Sequence, residues 1–240
     1  MSILNSISRF TEYYKRHGLA ATMHRARLAG KRKLVAGRMV VFYCDLDERK
    51  LRQVSIPKAL TIKRIRSLEG LNKEHLQEIT SFWNPKLANR NIRERFEKGA
   101  SLWLVEAEGR VAGYGWTLEG QTIAPYYFPM GADDVQLFDF YVFPKFRGRA
   151  IHWLLTCHIL NTLASEGRAR AFADTGEWNK AQLASFKITP FRLLGFVRTY
   201  KIFGQIFASW SAKKPEIQQL TREKSEKKAA KMSVLRSNEQ

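Results

Sequence analysis

"FYVFPKFRGRAIHWLLTCHIL", residues 140–160, runs from an apolar strand-like segment straight into a helical pattern. Between the two stand Pro144, Gly148 and three cations, Lys145, Arg147 and Arg149. Cations do not help a helix begin, because the macrodipole is already positive at that end. An anion would resolve the conflict. Pro144 stops the strand after Phe143, and the first helical turn leaves backbone N–H groups without partners. Gly148 lets a ligand approach that backbone, and the small Ala150 does the same. The stretch therefore reads as a cradle for a diphosphate, flanked by Lys145, Arg147 and Arg149. It has neither the G-x-G-x-x-G dinucleotide fingerprint nor the Gly-Lys-Ser/Thr of a P-loop.

Outward from the cradle, the elements alternate. "RMVVFYCDL" (38–46) and "LTIKRIRS" (60–67) read as strands, 68–83 and 84–99 as helices parted at Pro85. "SLWLVEAEG" and "RVAGYGWTLEG" form a hairpin through a tight Glu-Gly turn. An aromatic loop at 121–134 leads to a strand at 135–143. A helix over 147–166, a strand at 168–175, a helix at 179–186 and a strand over 196–210, broken by Gly204, complete the order. The fold class is α/β (α+β), with a mixed, mostly antiparallel central sheet flanked by helices.

The formal net charge of +19 is unevenly spread. Residues 1–66 carry 16 Lys/Arg against 4 Asp/Glu, whereas residues 67–210 carry 17 against 14. The chain divides into a basic N-terminal extension (1–54) with an amphipathic helix and a short strand, a domain over 55–210, and a basic tail (211–240), helical or disordered. Ile3, Leu4, Ile7, Phe10 and Tyr14 line one face of the first helix, with Arg9, Lys15 and Arg16 around it. Residues 1–38 thus suit an anionic membrane surface, the alternative being that the helix caps its own domain; nucleic acid would use the charge but not the apolar face. Those early cations also interrupt any secretory signal, and "MVVFYC" (39–44) is far too short to span a bilayer. Cys44 and Cys157 match no metal or redox spacing, so the expectation is a reducing, cytoplasmic setting, peripheral to the inner face of the membrane, and no metal.

"YVFPKFRGRAIHWLL" resembles the acyl-CoA-binding motif of the GNAT superfamily of N-acyltransferases, a strand ending V-x-P and then Q/R-x-x-G-x-G/A at a helix start. Val142, Pro144, Lys145, Gly148 and Ala150 occupy it, with lysine for the usual Gln or Arg. "LWLVEAEGRVAGYGW" is similar to the family's second and third strands, and Asn179, Gly195 and Phe196 to its late Asn-helix-Gly-Phe signature. The resemblance covers residues 60–210. It implies acetyl-CoA or another acyl-CoA in a V-shaped opening between central strands. Phe140, Tyr141 and Val142 would pair with the pantetheine arm, and Lys145, Phe146, Arg147, Gly148, Arg149, Ala150 and Ile151 would hold the diphosphate, with Asn179 nearby. An amine would attack the thioester directly in a ternary complex.

Asp139 is the first candidate for the base, being an acid in an apolar strand; the alternatives are a salt bridge to a nearby arginine or an edge position facing water. Glu119 and Glu177 are weaker candidates. The family's usual acid, a tyrosine four residues before the late Gly-Phe, is replaced by Phe191, which leaves Tyr141, Tyr200 or water to protonate the thiolate. His152 and His158 read as packing residues. Trp116, Tyr126, Tyr127 and Phe128 are the aromatic candidates for acceptor binding, a hydrophobic lid being the alternative. The expected acceptor is a small-molecule or glycan amine, such as an amino sugar near a membrane. Acylation of a protein or aminoacyl-RNA, and a silent basic binding protein on the same fold, are the competing readings.

Overall fold

A computed structural model describes residues 38–47, 51, 53–123, 127, 130–202 and 205–213, with 14, 18–23 and 27 before them; at 199–202, 205–207, 212 and 213 it describes backbone alone. The strands are β1 (Arg38–Asp45), β2 (Leu60–Ile65), β3 (Ser101–Ala107), β4 (Arg110–Glu119), β5 (Asp134–Val142), β6 (Arg170–Gly176), β7 (Arg192–Ile202) and β8 (Gln205–Lys213). The helices are α1 (Lys73–Phe82), α2 (Pro85–Glu97), α3 (Ile151–Ser165) and α4 (Lys180–Phe186). The strands form one sheet in the order β2-β3-β4-β5-β6-β1-β7-β8. Every neighbouring pair is antiparallel except β5 and β6, which run parallel with α3 as their crossover.

Local chemistry sets the boundaries. Asn72 caps α1 by accepting from Glu74 N at 2.6 Å, and Asn84 caps α2, with Pro85 at the first helical position. Glu108 and Gly109 take φ of 55° and 71°, the two left-handed residues that a two-residue hairpin of primed type requires between β3 and β4. β3 and β4 are buried on both faces. Trp103, Val105, Ala112, Val135 and Leu137 pack under α3, while Leu102, Leu104, Tyr114 and Trp116 pack under Ile79 of α1 and Ile92 of α2.

The structure departs from the sequence reading in three places. The boundary at 54/55 does not separate two units, because β1 lies inside the sheet between β6 and β7. Val40, Val41, Tyr43 and Cys44 are all buried there. Its partners are distant in sequence, so nothing local marks the strand as central. The strand expected over 196–210 with a break at Gly204 is two antiparallel strands, β7 and β8, with Ile202 opposite Gln205. The helix expected from residue 147 begins at Ile151, because Gly148 and Ala150 take φ of 79° and 55° and cannot continue a right-handed helix. The helix expected over residues 1–30 falls mostly outside the described residues, of which 18–23 are helical, and the tail from 214 lies outside them altogether. No helix among the described residues is long and apolar enough to cross a membrane.

Candidate active site

β5 and β6 pair for only four residues, from Asp134 opposite Arg170 to Leu137 opposite Ala173, and then part. β5 bulges at the point of separation. Trp116 pairs with Phe138 and Tyr114 with Tyr141, so Asp139 and Phe140 together face Gly115. Asp139 takes a φ of 49° there. The extra residue turns Phe140 toward the α3 side, where its ring stands 5.4 Å from that of His152. Gly115 leaves room for it: a Cβ at that position would come within 2.7 Å of the Phe140 ring.

The parting strands enclose an open cleft of about 190 Å³. It is smaller than the ~300–1,000 Å³ of a pocket that swallows a drug-sized ligand, and a narrow chain suits it better. Its walls are residues 137–140 of β5 and Ala173, Asp174 and Thr175 of β6. His152 and Thr156 of α3, Asn179 at the start of α4, Gln182, Phe186 and Phe191 close it. Asn179 caps α4 by accepting from Gln182 N. Phe191 is buried edge-on to Phe186, so the place where the family's tyrosine is expected faces the cleft with a group that donates nothing.

The cleft touches the first turn of α3 at His152. The first α3 amide that the helix itself satisfies is that of Leu154, which donates to Ala150 O at 3.0 Å; the amides before it have no carbonyl one turn back. Ala150 is the N-cap and makes no side-chain capping bond. Among the described residues, its chain neighbours aside, no heavy atom lies within 4 Å of where a Cβ on Gly148 would sit, so these leave the approach to the backbone open. The cations around it have partners. Glu108 accepts from Lys145 at 3.0 Å and from Arg149 at 2.6 Å, and these two cations hold its carboxyl below the usual range. Arg147 donates to Val142 O and reaches the Tyr141 hydroxyl at 3.4 Å. The charge conflict at the helix start is thus met partly by a carboxylate of the chain itself, from the β3–β4 turn, which sequence separation conceals.

Two carboxylates stand on the cleft. Asp139 accepts from Arg95 of α2 at 2.5 Å, the salt bridge weighed as the alternative to a base. Asp174 accepts from the Tyr127 hydroxyl at 3.0 Å, and burial together with the Asp174 charge raises that hydroxyl above its usual range. Arg95 belongs to the helices opposite α3. Asp174 alternates with Ala173, which packs on the α3 side, so it too faces away from α3. The cradle and the two carboxylates therefore flank the opening from opposite faces of the sheet. Asp174 was not singled out from the sequence, although "AFADT" shows the same acid in an apolar run that marked Asp139.

Other candidates lie elsewhere. Tyr141 faces α1, with its ring 5.1 Å from Phe82 and 5.0 Å from Trp83. Tyr200 is on β7 in register with Phe207, and its side chain falls outside the described residues, as do Tyr126 and Phe128. Trp116 is 1% exposed and packed between Phe96 and Phe138, too deep to stack on an acceptor. Glu119 pairs with Arg64 and Arg168 near the end of β4 remote from the bulge, and Glu177 pairs with Arg38 just beyond β6. His158 packs edge-on to Trp103. His152 is different: it borders the cleft, contacts Gln182 through Nε2 at 3.2 Å, and leaves a buried Nδ1 without a partner among the described residues. Burial pushes its pKa down to about 4, so the imidazole is neutral at pH 7.

The family model of the GNAT acetyltransferases matches residues 66–188, from the end of β2 through α4. Among solved structures, the fold is similar to a tandem GNAT protein from the clavulanic acid biosynthesis pathway. The TM-score is 0.50 at 12% identity, over 72% of this chain and 51% of that one. A GNAT-family acetyltransferase from Colwellia psychrerythraea gives 0.47 at 14% identity, over 65% and 53% of the two chains. A GCN5-related N-acetyltransferase from Sphaerobacter thermophilus gives 0.44 at 13%, over 72% and 53%. The chain spans about half to two thirds of the length of the solved structures it matches. No protein of curated function matches the sequence. With more than half of its residues under the family model, including the bulged strand, the cradle and the cleft-lining helix α4, the chain belongs to the GNAT family of acetyltransferases.

Proposed function

We propose that this protein transfers an acyl group, most simply acetyl, from acyl-CoA to an amine. The observation that carries the reading is that the β5–β6 opening reaches His152 in the first turn of α3, four residues beyond Gly148 and its open surroundings. The diphosphate would meet the free amides of residues 148–151, where the positive end of α3 favours an anion. The arm would lie between β5 and β6, bringing the thioester to the bulge. The amine nitrogen attacks the carbonyl carbon, a C–N bond forms, the C–S bond breaks, and CoA leaves as the thiolate. The amine must first lose a proton. We assign its acceptance to Asp174, which stands on the cleft, because the Asp139 carboxylate there carries a charge-assisted bond to the Arg95 guanidinium. With phenylalanine at position 191, water protonates the thiolate. Calorimetric titration tests the reading: acetyl-CoA should bind saturably and release its thiol only when an amine is supplied. A protein that does not bind acetyl-CoA would overturn it.

The acceptor we propose is an amino sugar or glycan amine presented at the cytoplasmic face of a membrane. β1 begins beside Gly176 at the open end of β6, and Arg38 pairs there with Glu177. Arg38, where the basic segment joins the sheet, thus stands two residues from Val40, the strand partner of Thr175 in the cleft wall. Arg9, Lys15, Arg16, Arg25 and Arg27 are each worth about 1 kcal/mol near an anionic surface. The full chain should co-sediment with phosphatidylglycerol vesicles, and replacing these five residues by serine should release it. Equal sedimentation of both proteins would count against a membrane role for this segment.

A further inference from the structure

We propose that Arg95 is a positioning residue for the acyl donor: by clamping Asp139 in the left-handed conformation, it fixes the bulge that keeps β5 apart from β6. This rests on the acyl-CoA reading and adds a residue outside the cleft to it. The first residue of such a bulge is ordinarily glycine, which takes positive φ without penalty. Here the position holds Asp139, at φ 49°. Aspartate tolerates that region better than most side chains but is still disfavoured in it. A chain that forgoes glycine at this point uses the side chain instead, and its use is visible: Oδ2 accepts from Arg95 Nη1 at 2.5 Å.

Arg95 is itself immobilised. Its side chain is 18% exposed, and its guanidinium lies 5.1 Å over the Trp116 ring and 5.4 Å over the Phe138 ring. Both rings belong to the strands that form the bulge, so α2, β4 and β5 are tied at one point. Asp139 and Phe140 share the single position opposite Gly115, and this reverses the side-chain alternation of β5 beyond the bulge. Phe140 then lines the cleft beside His152, and Tyr141 goes to the α1 side. The shape of the slot follows from the backbone at Asp139, and that backbone is held from the opposite face of the sheet by a residue that does not line the cleft.

The clamp acts on the arm of CoA and not on its nucleotide, which sets the experiment. Acetyl-CoA and 3′-phospho-ADP, the nucleotide part without the arm, are titrated into wild type, Arg95→Met, Asp139→Gly and the double variant, each checked for cooperative thermal unfolding. Arg95→Met should weaken acetyl-CoA by roughly tenfold, the scale of unsupported left-handed strain in an L-residue, and leave 3′-phospho-ADP unchanged. Adding Asp139→Gly to Arg95→Met should restore the lost affinity, because glycine holds the bulge without the clamp. Wild-type affinity in Arg95→Met, equal loss of both ligands, or a folded double variant as weak as Arg95→Met would each overturn the proposal. A wild-type protein that binds 3′-phospho-ADP but not acetyl-CoA, or neither, would instead remove the acyl-CoA reading and the proposal with it.

Discussion

A chain beginning at residue 55 is expected not to fold. It lacks β1, which pairs with β6 from Met39 opposite Gly176 to Asp45 opposite Arg170 and with β7 on its other side. Val40, Val41, Tyr43 and Cys44 would leave the core, along with Leu46 and Leu51, which pack beneath α3 and α4. At roughly 1.5–3 kcal/mol for each fully buried apolar side chain, several such losses together reach the ~5–15 kcal/mol that holds a whole domain together. The loss is also structural: β6 becomes an edge of unpaired backbone, and the β7–β8 hairpin has nothing to join. Circular dichroism and thermal scanning should show no cooperative transition for this chain. A chain beginning at residue 37 retains β1 and should unfold cooperatively. Comparable melting of the two would mean that β7 can close directly on β6.

The same strand shows where sequence reasoning ends. "RMVVFYCDL" was legible as a strand from its β-branched and aromatic residues, but its rank in the sheet depends on pairing with residues 170–176 and 192–198, and no local pattern encodes that. The β3–β4 hairpin was legible because its turn chemistry is local, and the break before α3 because Pro144 and Gly148 interrupt the pattern locally. The bulge was not. Nothing in "LFDFYVF" signals that Asp139 is left-handed, although the acid in an apolar run did mark the right position and the salt bridge was the right alternative. Trp116 was misread for a related reason. An aromatic near a cleft in sequence lies on either face of a strand, and only the register decides that this one packs under α2.

Replacing Gly148 by aspartate is expected to abolish most acetyl-CoA binding while leaving the fold in place. Two effects compete at this position and act on different quantities. The residue sits at φ 79°, so any side chain brings left-handed strain, about 1–2 kcal/mol, which falls on stability. Aspartate is among the side chains that tolerate this region best, and open space surrounds the site, so nothing clashes. The second effect falls on affinity. A carboxylate here stands where the diphosphate would lie, and like charges about 4 Å apart repel by roughly 4 kcal/mol at the effective dielectric of a protein surface. It also offers Arg147 and Arg149 a fixed anion to pair with in place of the ligand. The electrostatic effect is the larger, and acetyl-CoA affinity should fall by well over tenfold, which requires only about 1.4 kcal/mol. Two controls separate charge from strain. Gly148→Ala has the strain without the charge and should keep most of the affinity. Gly167→Asn puts a side chain at φ 76° in equally open space past the far end of α3, about 22 Å along the helix, and should cost stability alone. Calorimetry on the three folded variants reads the outcome. Unchanged acetyl-CoA binding by Gly148→Asp would remove the diphosphate from the start of α3, and with it the assignment of the cleft to the arm.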